Sequence, residues 1–332
     1  MIPSGLPSAS VVVLTYNSQD YIVPCLESLL ADESPEKELL VIDNASADST
    51  VELIRRRFPE IRLLANPHNL GVAGGWNLGW KQTRGQIIVF LNPDLVVQPR
   101  WLRALQEALA GHPEADAAGI KLLYPDGRTL QHAGAGLRPN GETFHRGWGE
   151  PDRGQYDVLE PVECVTGAVF AVRRRALEAL GGFDEDYYPA YFEEIDFCAR
   201  LRARGRQVLY VPAAAAYHHE AVTLKRDSPE FIRLHLRMRA LFVIKNFPWK
   251  RILTQALPWE IRTRLRERKS AHSRAAIQSC FWVAPFALQR LGRNLRGLPG
   301  RPFNARQRGR PAPKVIPSTA LEQAERDLKA RG

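Results

Sequence analysis

Three carboxylates stand close together in the segment Tyr191–Asp196. They are Glu193, Glu194 and Asp196, and they fall at the start of a predicted helix, where the helix dipole favours anions. We expect repulsion within the cluster to raise the pKa of one carboxyl group, which suits a general base. Helical spacing places Glu193 and Asp196 on neighbouring turns with Glu194 rotated away, so the three should divide their roles. The alternative interpretation is a solvated helix terminus.

Polar side chains also follow the apolar runs that open the chain. Thr15–Asn17 ends the first run, Asp43–Asn44 the second, and Asn92–Asp94 a later one. The carboxyl ends of parallel strands meet at one edge of a sheet, and ligands bind there. The pattern therefore predicts a ligand site at this edge. For Asp43 the alternative is that it only caps the next helix.

The elements that must position these groups alternate between strand and helix. Predicted strands occupy 10–14, 38–42, 61–65, 86–91, 162–172 and 207–211, and predicted helices occupy 21–30, 51–58, 71–79, 101–109, 173–180 and 191–204. This alternation predicts an α/β fold with a doubly wound, mostly parallel sheet. The early strands are apolar almost throughout, which indicates helices on both faces. Ser46 or Asp48 is the expected N-cap of the second helix. Residues 125–160, rich in Gly, Pro and charge, are expected to form a long functional loop or an irregular subdomain.

Composition excludes several classes of protein. Of 332 residues, 45% are hydrophobic and 25% are charged, so fibrous, low-complexity and wholly disordered classes do not fit. Four cysteines without a CxxC spacing exclude a zinc ribbon and a disulfide scaffold, and they fit a reducing compartment. The first residues show no signal-peptide pattern, and no apolar run reaches the roughly 20 residues of a membrane span. We expect a cytoplasmic protein.

Charge divides the chain into regions of opposite sign. Residues 225–332 contain 25 basic and 7 acidic residues, whereas residues 1–224 contain 21 basic and 29 acidic ones. We expect a main domain over 1–224, a basic helical extension over 225–300, and a Pro/Arg-rich linker and tail over 301–332. Amphipathic helices are predicted at 231–246, 252–269, 273–296 and 318–330. Such basic helices bind anionic membrane surfaces. The alternatives are helices that pack on the main domain and a nucleic-acid surface, and no RNA-binding or zinc-finger motif supports the latter.

Six motifs carry a resemblance to a known family. They occur in order over residues 9–220, and they are Val11–Asn17, Val41–Ser46, Asn66–Gly71, Leu91–Asp94, Val165–Ala168 and Tyr191–Asp196. Together they resemble the family 2 glycosyltransferases with the GT-A fold, close to the bacterial rhamnosyltransferase-like branch. The residues after 220 match only loosely.

The resemblance implies an inverting transfer of a sugar from a nucleotide diphosphate to an acceptor hydroxyl. The donor would be dTDP-rhamnose or a UDP-sugar, and the acceptor a saccharide or lipid-linked saccharide of cell-surface polysaccharide synthesis. The enzyme would work at the inner face of the cytoplasmic membrane. A second hypothesis is a catalytically degenerate protein that binds a nucleotide sugar or glycan, because Asn92 replaces the first carboxylate of the family's Asp-x-Asp motif.

The same resemblance implies roles for individual residues. A divalent metal, Mn²⁺ or Mg²⁺, would be held by Asp94 and His218, with His219 as the competitor of His218. Glu194 aligns with the family's catalytic aspartate, Glu193 is the runner-up, and Asp196 is expected to organise the site by pairing with Arg200. The nucleotide sugar would contact Thr15, Tyr16, Asn17, Asp43, Asn44, Asn69, Gly71, Gly74, Gly75 and Asn92. The acceptor side would be formed by Thr166, Gly167 and Trp148. For Gly74 and Gly75 a turn or helix-entry role is the alternative.

Overall fold

The computed structural model describes residues 5–32, 34, 37–219, 228–266, 279 and 283–291. The strands are β1 (Ala9–Thr15), β2 (Lys37–Asp43), β3 (Arg62–Ala65), β4 (Ile87–Leu91), β5 (Leu95–Val97), β6 (Ala115–Leu123), β7 (Leu130–His132), β8 (Ala135–Leu137), β9 (Thr143–His145), β10 (Glu160–Val162), β11 (Val169–Arg173) and β12 (Gln207–His218). The helices are α1 (Ile22–Ala31), α2 (Thr50–Arg57), α3 (Gly71–Lys81), α4 (Trp101–Gly111), α5 (Arg174–Leu180), α6 (Glu193–Arg202), α7 (Pro229–Asn246), α8 (Trp249–Arg251) and α9 (Leu257–Arg266).

One mixed sheet forms the centre of the protein. Its strand order is β10-β12-β6-β11-β4-β1-β2-β3, with β5 paired to β12 and β7 paired to β6. The β1–β2, β1–β4, β2–β3 and β6–β12 pairs are parallel and contain most of the paired residues. The expected mostly parallel α/β sheet is confirmed, and β5, β7, β10 and β11 are paired to it antiparallel. Strand β11 lies antiparallel between β4 and β6, next to the end of β4 that carries Asn92.

Helices cover both faces of the sheet, as the continuous apolar strands predicted. Val11 and Val13 face a core shared with α1, α2 and α4. Val12 and Leu14 face the opposite core, which is shared with α3, α5, α6 and α7. Because side chains alternate along a strand, β1 contributes to both cores. It is therefore held rigidly, and so is the polar segment that follows it.

The expected single strand over 162–172 is wrong. Residues 160–162 form β10 at one edge of the sheet, whereas 169–173 form β11 in its centre. The residues between them must cross the ends of the intervening strands, so they cannot join either ladder. Apolar composition alone did not reveal this crossing. The crossing brings Thr166 and Gly167 to the edge of the sheet where polar residues follow β1, β2 and β4.

Smaller differences concern element boundaries and short strands. The N-cap residue of α2 is Ser49 rather than Ser46 or Asp48. The backbone N–H of Ser46 donates a hydrogen bond to the Asp43 carboxylate, and Asp48 accepts a hydrogen bond from the backbone N–H of Thr50. Residues 125–160 contain the short strands β7, β8 and β9. Strand β6 escaped prediction because its Ala, Gly and charged residues lack the β-branched pattern.

The basic C-terminal region is described in part. Helix α7 packs on the α3–α5–α6 side of the sheet, and a π-helical turn at Ile252–Ala256 leads into α9. Of the helix expected at 273–296 only 279 and 283–291 are described, and these residues are helical. The linker expected at 301–317 and the helix expected at 318–330 lie outside the described residues. In the portion of the chain that the structure describes, no helix combines the length and apolar character that crossing a membrane requires.

Candidate active site

The ends of β1 and β2 form the first part of the site. Thr15 and Asp43 are register partners, and both are buried. The Asp43 carboxylate accepts hydrogen bonds from the backbone N–H of Ser46 at 3.0 Å and from its hydroxyl at 2.5 Å. Ser46 in turn accepts from the backbone N–H of Asn17 at 2.9 Å. Asp43 therefore stabilises the loop after β2 rather than capping α2.

Asn17 adopts a left-handed backbone conformation with φ +49° directly after Tyr16. Its side-chain oxygen accepts a hydrogen bond from the backbone N–H of Ala47 at 2.8 Å. Asparagine tolerates this conformation better than most residues. The loops after β1 and β2 are thus tied to each other. Thr15 Oγ1 is buried without a hydrogen-bond partner among the described residues.

A pair of asparagines fixes the entry to α3. Asn44 donates to Asn69 Oδ1 at 2.9 Å and accepts from the backbone N–H of Leu70 at 3.0 Å. Asn69 Oδ1 also accepts from the backbone N–H of Gly71 at 2.8 Å. The Val72 N–H is bonded as well, to a backbone carbonyl oxygen, so these bonds hold the N-terminus of α3 in place and already occupy its first N–H groups.

The glycines of α3 serve close packing. Gly71 has φ +69°, and a Cβ there would lie 2.8 Å from the carbonyl oxygen of Pro189. At Gly75 a Cβ would lie 2.5 Å from Leu14 Cδ1, and at Gly74 it would lie 2.9 Å from Leu70 Cβ. Gly75 lies inside α3 and lets the helix approach β1, which is a packing role and neither the expected nucleotide contact nor the turn or helix-entry alternative.

Asp94 and His218 form the second part of the site. Strand β5 pairs with β12, so that His218 is the register partner of Leu95 and lies beside Asp94. Asp94 Oδ1 and His218 Nε2 are 3.3 Å apart and buried, and neither has a hydrogen-bond partner in the described ranges. Adjacent ligands of an octahedral cation lie about 3 Å apart, so this pair fits a divalent metal. The ring of His219 instead lies 5.4 Å from that of Tyr21.

This pair is smaller than a complete metal centre. No group of three or more His, Cys, Asp or Glu side chains that could hold a metal occurs among the residues the structure describes. Asn92 offers an amide where the family motif has a carboxylate. Two protein ligands are typical of a metal that is held largely by its substrate's phosphates.

Gln131, which the sequence did not single out, orients His218. Its Oε1 lies 2.6 Å from His218 Nδ1, and its Nε2 lies 3.4 Å from the His218 carbonyl oxygen. Because an amide oxygen only accepts, Nδ1 carries the proton, and a neutral ring turns the lone pair of Nε2 towards Asp94. Gln131 lies on β7, in a region predicted to be irregular, so no sequence signal pointed to it.

A small cavity of about 40 Å³ adjoins His218. Its lining residues are Leu122, Gln131, His132, His145, Trp148, Thr166 and His218. His132 is fully buried, its Nδ1 lies 2.9 Å from Nδ1 of His145, and its Nε2 has no partner in the described part of the chain. Burial, together with the nearby His145, holds the pKa of His132 well below its usual value. Trp148, expected on the acceptor side, is 41% exposed at the rim.

Glu194 forms the third part of the site. Its Oε1 accepts a hydrogen bond from the backbone N–H of Gly167 at 3.2 Å. A Cβ at Gly167 would lie 3.0 Å from Trp76 and 3.4 Å from the Glu194 carboxyl carbon, so a glycine permits this approach. The second oxygen, Oε2, is buried and has no partner among the described residues. Burial raises the pKa of Glu194, while backbone N–H groups oppose the rise.

Glu193 is buried more deeply than Glu194. Burial is the main cause that raises the pKa of Glu193 well above its usual value, and the charge of Glu194 adds to it. The sequence predicts that repulsion raises the pKa of one carboxyl group, whereas burial raises the pKa of both Glu193 and Glu194, and repulsion contributes only at Glu193. Glu193 Oε2 also has no hydrogen-bond partner within the described ranges.

Asp196 has a different environment. Its carboxylate accepts from Arg200 Nε at 2.6 Å, from the Tyr187 hydroxyl at 3.1 Å and from the Asn246 amide at 2.8 Å. The expected pairing with Arg200 is present. With its oxygens occupied and only 2% of its surface exposed, Asp196 holds α6 in place rather than facing a substrate.

A strained turn and helix α7 position the two glutamates. Tyr191 and Phe192 have φ values of +78° and +72°, so α6 begins at Glu193 rather than at residue 191. Side chains of L-residues disfavour this conformation, which persists where packing enforces it. The Phe192 ring lies 5.6 Å from that of Phe242 on α7. Helix α7 thus directly supports the turn that precedes Glu193.

The segment Thr166–Ala168 joins the second and third parts to the end of β4. Thr166 lines the cavity beside His218, Gly167 donates to Glu194, and Ala168 accepts from the backbone N–H of Asn92 at 3.0 Å. A carboxylate with a raised pKa and a pair of metal-type ligands therefore border the same region. This combination suits removal of a proton from a hydroxyl beside a bound diphosphate.

The model of a protein family described as Glycosyl transferase family 2 matches residues 10–181. The match covers more than half of the 332 residues. The chain belongs to glycosyl transferase family 2. The matched range includes Asp43 and Asp94 and ends before Glu193, Glu194 and His218, and the roles of all five residues stay predictions.

Curated relatives extend the likeness beyond that range. N-acetylglucosaminyl-diphospho-decaprenol L-rhamnosyltransferase of Mycobacterium tuberculosis is 29% identical over 299 residues, which cover 81% of this chain and 94% of that protein. O-antigen biosynthesis protein RfbC of Myxococcus xanthus is 31% identical over 236 residues, which cover 68% of this chain and 18% of that protein. The chain spans about a quarter or less of the length of two of its relatives. The expected kinship with rhamnosyltransferase-like members of the family is confirmed.

A solved structure supports the fold. The mannosyltransferase PcManGT from Pyrobaculum calidifontis, in complex with GDP-Man and Mn²⁺, matches with a TM-score of 0.53 and 20% identity. The match covers 90% of this chain and 82% of that chain. It confirms the GT-A fold expected from the motifs.

Proposed function

We propose that this protein is an inverting glycosyltransferase that moves a sugar from a nucleotide diphosphate to an acceptor hydroxyl. The observation that carries the proposal is the contact of Glu194 with Gly167, one residue from Thr166 in the cavity that His218 lines. The base would thereby lie beside the place where a metal-bound diphosphate is held. Family membership supports the reaction class.

Each part of the site has one role in the proposed reaction. Glu194 removes the proton of the acceptor hydroxyl, and the acceptor oxygen forms a bond to the anomeric carbon as the bond from that carbon to the diphosphate oxygen breaks. The electron pair of the broken bond leaves with the diphosphate. Asp94 and His218 would hold a divalent metal, which neutralises negative charge on the diphosphate when it is bound. The loops after β1 and β2 and the start of α3, which carry Asp43 and Asn69, would hold the nucleotide.

We infer the substrates from chemistry and kinship. The M. tuberculosis relative is named as a rhamnosyltransferase for a diphospho-decaprenol acceptor. For this protein we propose dTDP-rhamnose as donor, with UDP-sugars next, and a saccharide or lipid-linked acceptor used in cell-surface polysaccharide synthesis. The enzyme would act from the cytoplasm at the inner face of the membrane, and nucleic acid is not among its proposed partners.

Donor turnover tests the proposal. The purified full chain would be incubated with Mn²⁺ and a panel of nucleotide sugars, with and without saccharide acceptors, and nucleoside diphosphate release would be measured. We expect release with one donor class and loss of most of it in Glu194→Gln. The absence of release and transfer with every donor would contradict the proposal.

Asn92 supports one other function. Since it replaces a carboxylate of the metal motif, the protein could bind a nucleotide sugar without turning it over. Calorimetry combined with a turnover assay separates the two functions. Donor binding by the wild-type chain without turnover of any donor would favour the binding protein.

A further inference from the structure

Helix α9 and the turn before it expose a row of large apolar side chains. Leu253, Leu257, Ile261 and Leu265 recur at every fourth position and are 61%, 48%, 49% and 54% exposed. Residues four apart lie on one side of a helix, so these four form a continuous stripe. We call it the α9 stripe. Large apolar groups concentrated in this way mark a surface that is covered by something else.

The rest of the molecule fixes the direction of the α9 stripe. Ala256 is buried on the other side of the segment. Glu260 is bound by Arg239 at 2.8 Å and by the Asn140 amide at 3.0 Å. Helix α9 is thereby attached to α7 and to the loop after β8 through one side. It cannot roll over to bury the stripe without breaking these contacts.

The segment that bears the stripe is strongly basic. Residues 249–266 contain five Lys or Arg side chains and a single acidic residue, Glu260. That carboxylate is already neutralised by Arg239. Lys250 and Arg262 are exposed beside the stripe. An apolar row bordered by cations matches a surface that is anionic outside and apolar beneath, which describes a leaflet with anionic lipid headgroups.

Helix α7 shows that a basic, amphipathic pattern does not by itself identify a helix that is exposed for membrane binding. It is basic and amphipathic as well, and the sequence offers it equally for membrane binding. In the structure its apolar residues Leu236, Leu241 and Phe242 are buried against the protein. Charge and periodicity thus do not distinguish a helix that is packed on the protein from one whose apolar side faces outward. The exposure of the apolar side chains does distinguish them.

We propose that the α9 stripe docks the protein on an anionic membrane surface. The stripe enters the headgroup region, and the exposed Lys250 and Arg262 contact lipid phosphates. This deepens the proposed function, since it would present the site to a lipid-linked acceptor, but it rests on exposure and charge that are independent of catalysis.

Vesicle binding tests the docking. The full chain would be sedimented with vesicles of phosphatidylcholine alone and of phosphatidylcholine mixed with phosphatidylglycerol. We expect about tenfold or stronger partition to the anionic vesicles, weakened by salt. The double variant Leu257→Glu with Ile261→Glu should lose at least about tenfold of it. Val158→Glu is the matched control, because Val158 is 66% exposed outside this segment, and it should bind like the wild type.

Several results would overturn the docking. They are equal binding to neutral and anionic vesicles, full binding by the double variant, and equal loss in the Val158→Glu control. A wild-type chain that sediments as a dimer, with the double variant monomeric and vesicle binding absent, would assign the stripe to a second copy. Donor turnover on a soluble acceptor is measured in parallel. Turnover without vesicle binding rejects the docking alone, and vesicle binding without turnover rejects the proposed function alone.

Discussion

His218 Nε2 and Asp94 Oδ1 face each other across 3.3 Å, and neither atom has a hydrogen-bond partner in the part of the chain described. Two buried acceptors so close repel each other unless a proton or a cation lies between them. Because Gln131 binds Nδ1 of the same ring at 2.6 Å, the lone pair of a neutral His218 must point at Asp94. The arrangement is therefore prepared for a cation.

Gln131 should control metal affinity. We expect Gln131→Leu to raise the Kd for Mn²⁺ about 10- to 100-fold, because the His218 ring loses the acceptor that orients it. Gln131→Glu keeps an oxygen at that position and should retain the affinity. Titration calorimetry with Mn²⁺ and a nucleoside diphosphate measures the Kd without any turnover.

Gln106→Leu is the matched control for Gln131. Gln106 is also buried, but it donates to the carbonyl oxygen of Pro7 on another part of the molecule. Its replacement should leave the Kd for Mn²⁺ unchanged. Equal effects of the two leucine variants would mean that Gln131 acts only through general stability.

Glu194 and Glu193 should differ in kinetics. We expect Glu194→Gln to lower kcat by about 10²- to 10⁴-fold with little change in donor Kd, because the base is lost while the nucleotide loops stay intact. Glu193→Gln should change kcat much less. Steady-state rates and donor calorimetry on both variants check this. The reverse order of the two effects would make Glu193 the base.

The pH dependence of the reaction should report the Glu194 environment. Burial raises the pKa of Glu194, so its carboxyl group stays protonated, and inactive as a base, to a higher pH than an exposed glutamate. We expect kcat/KM to fall as the pH is lowered, with a midpoint above the usual glutamate value of about 4.3. A pH–rate profile under saturating Mn²⁺ measures it. A midpoint at the ordinary value would exclude Glu194 as the titrating base.

Gly75 should be a packing residue. A Cβ at Gly75 would lie 2.5 Å from Leu14, so Gly75→Ala should destabilise the fold by about 1–3 kcal/mol. Gly111→Ala is the control, since no atom lies within 4 Å of a Cβ there. Denaturant unfolding compares both variants with the wild type. Unchanged stability with weakened nucleotide binding in Gly75→Ala would instead indicate a direct ligand contact.

Much of the fold followed from local patterns. Strands β1, β2 and β4 and helices α1, α3 and α4 lie close to their predicted positions, because each is a continuous apolar run or a clear helical repeat. Strand β6 was missed, and β10 and β11 were merged. Their identity as strands depends on which neighbours complete their ladders, and no short stretch of sequence contains that information.

The sequence by itself determined the family, the α/β class and the residue types of the site, since these depend on motif order and on side-chain chemistry. Only the tertiary structure decided which carboxylate meets Gly167, that Gln131 orients His218, and that α7 is packed while the α9 stripe is bare. The physical reason is that hydrogen bonds and burial depend on distances between residues far apart in the chain. Those distances arise only when the sheet brings its edges together.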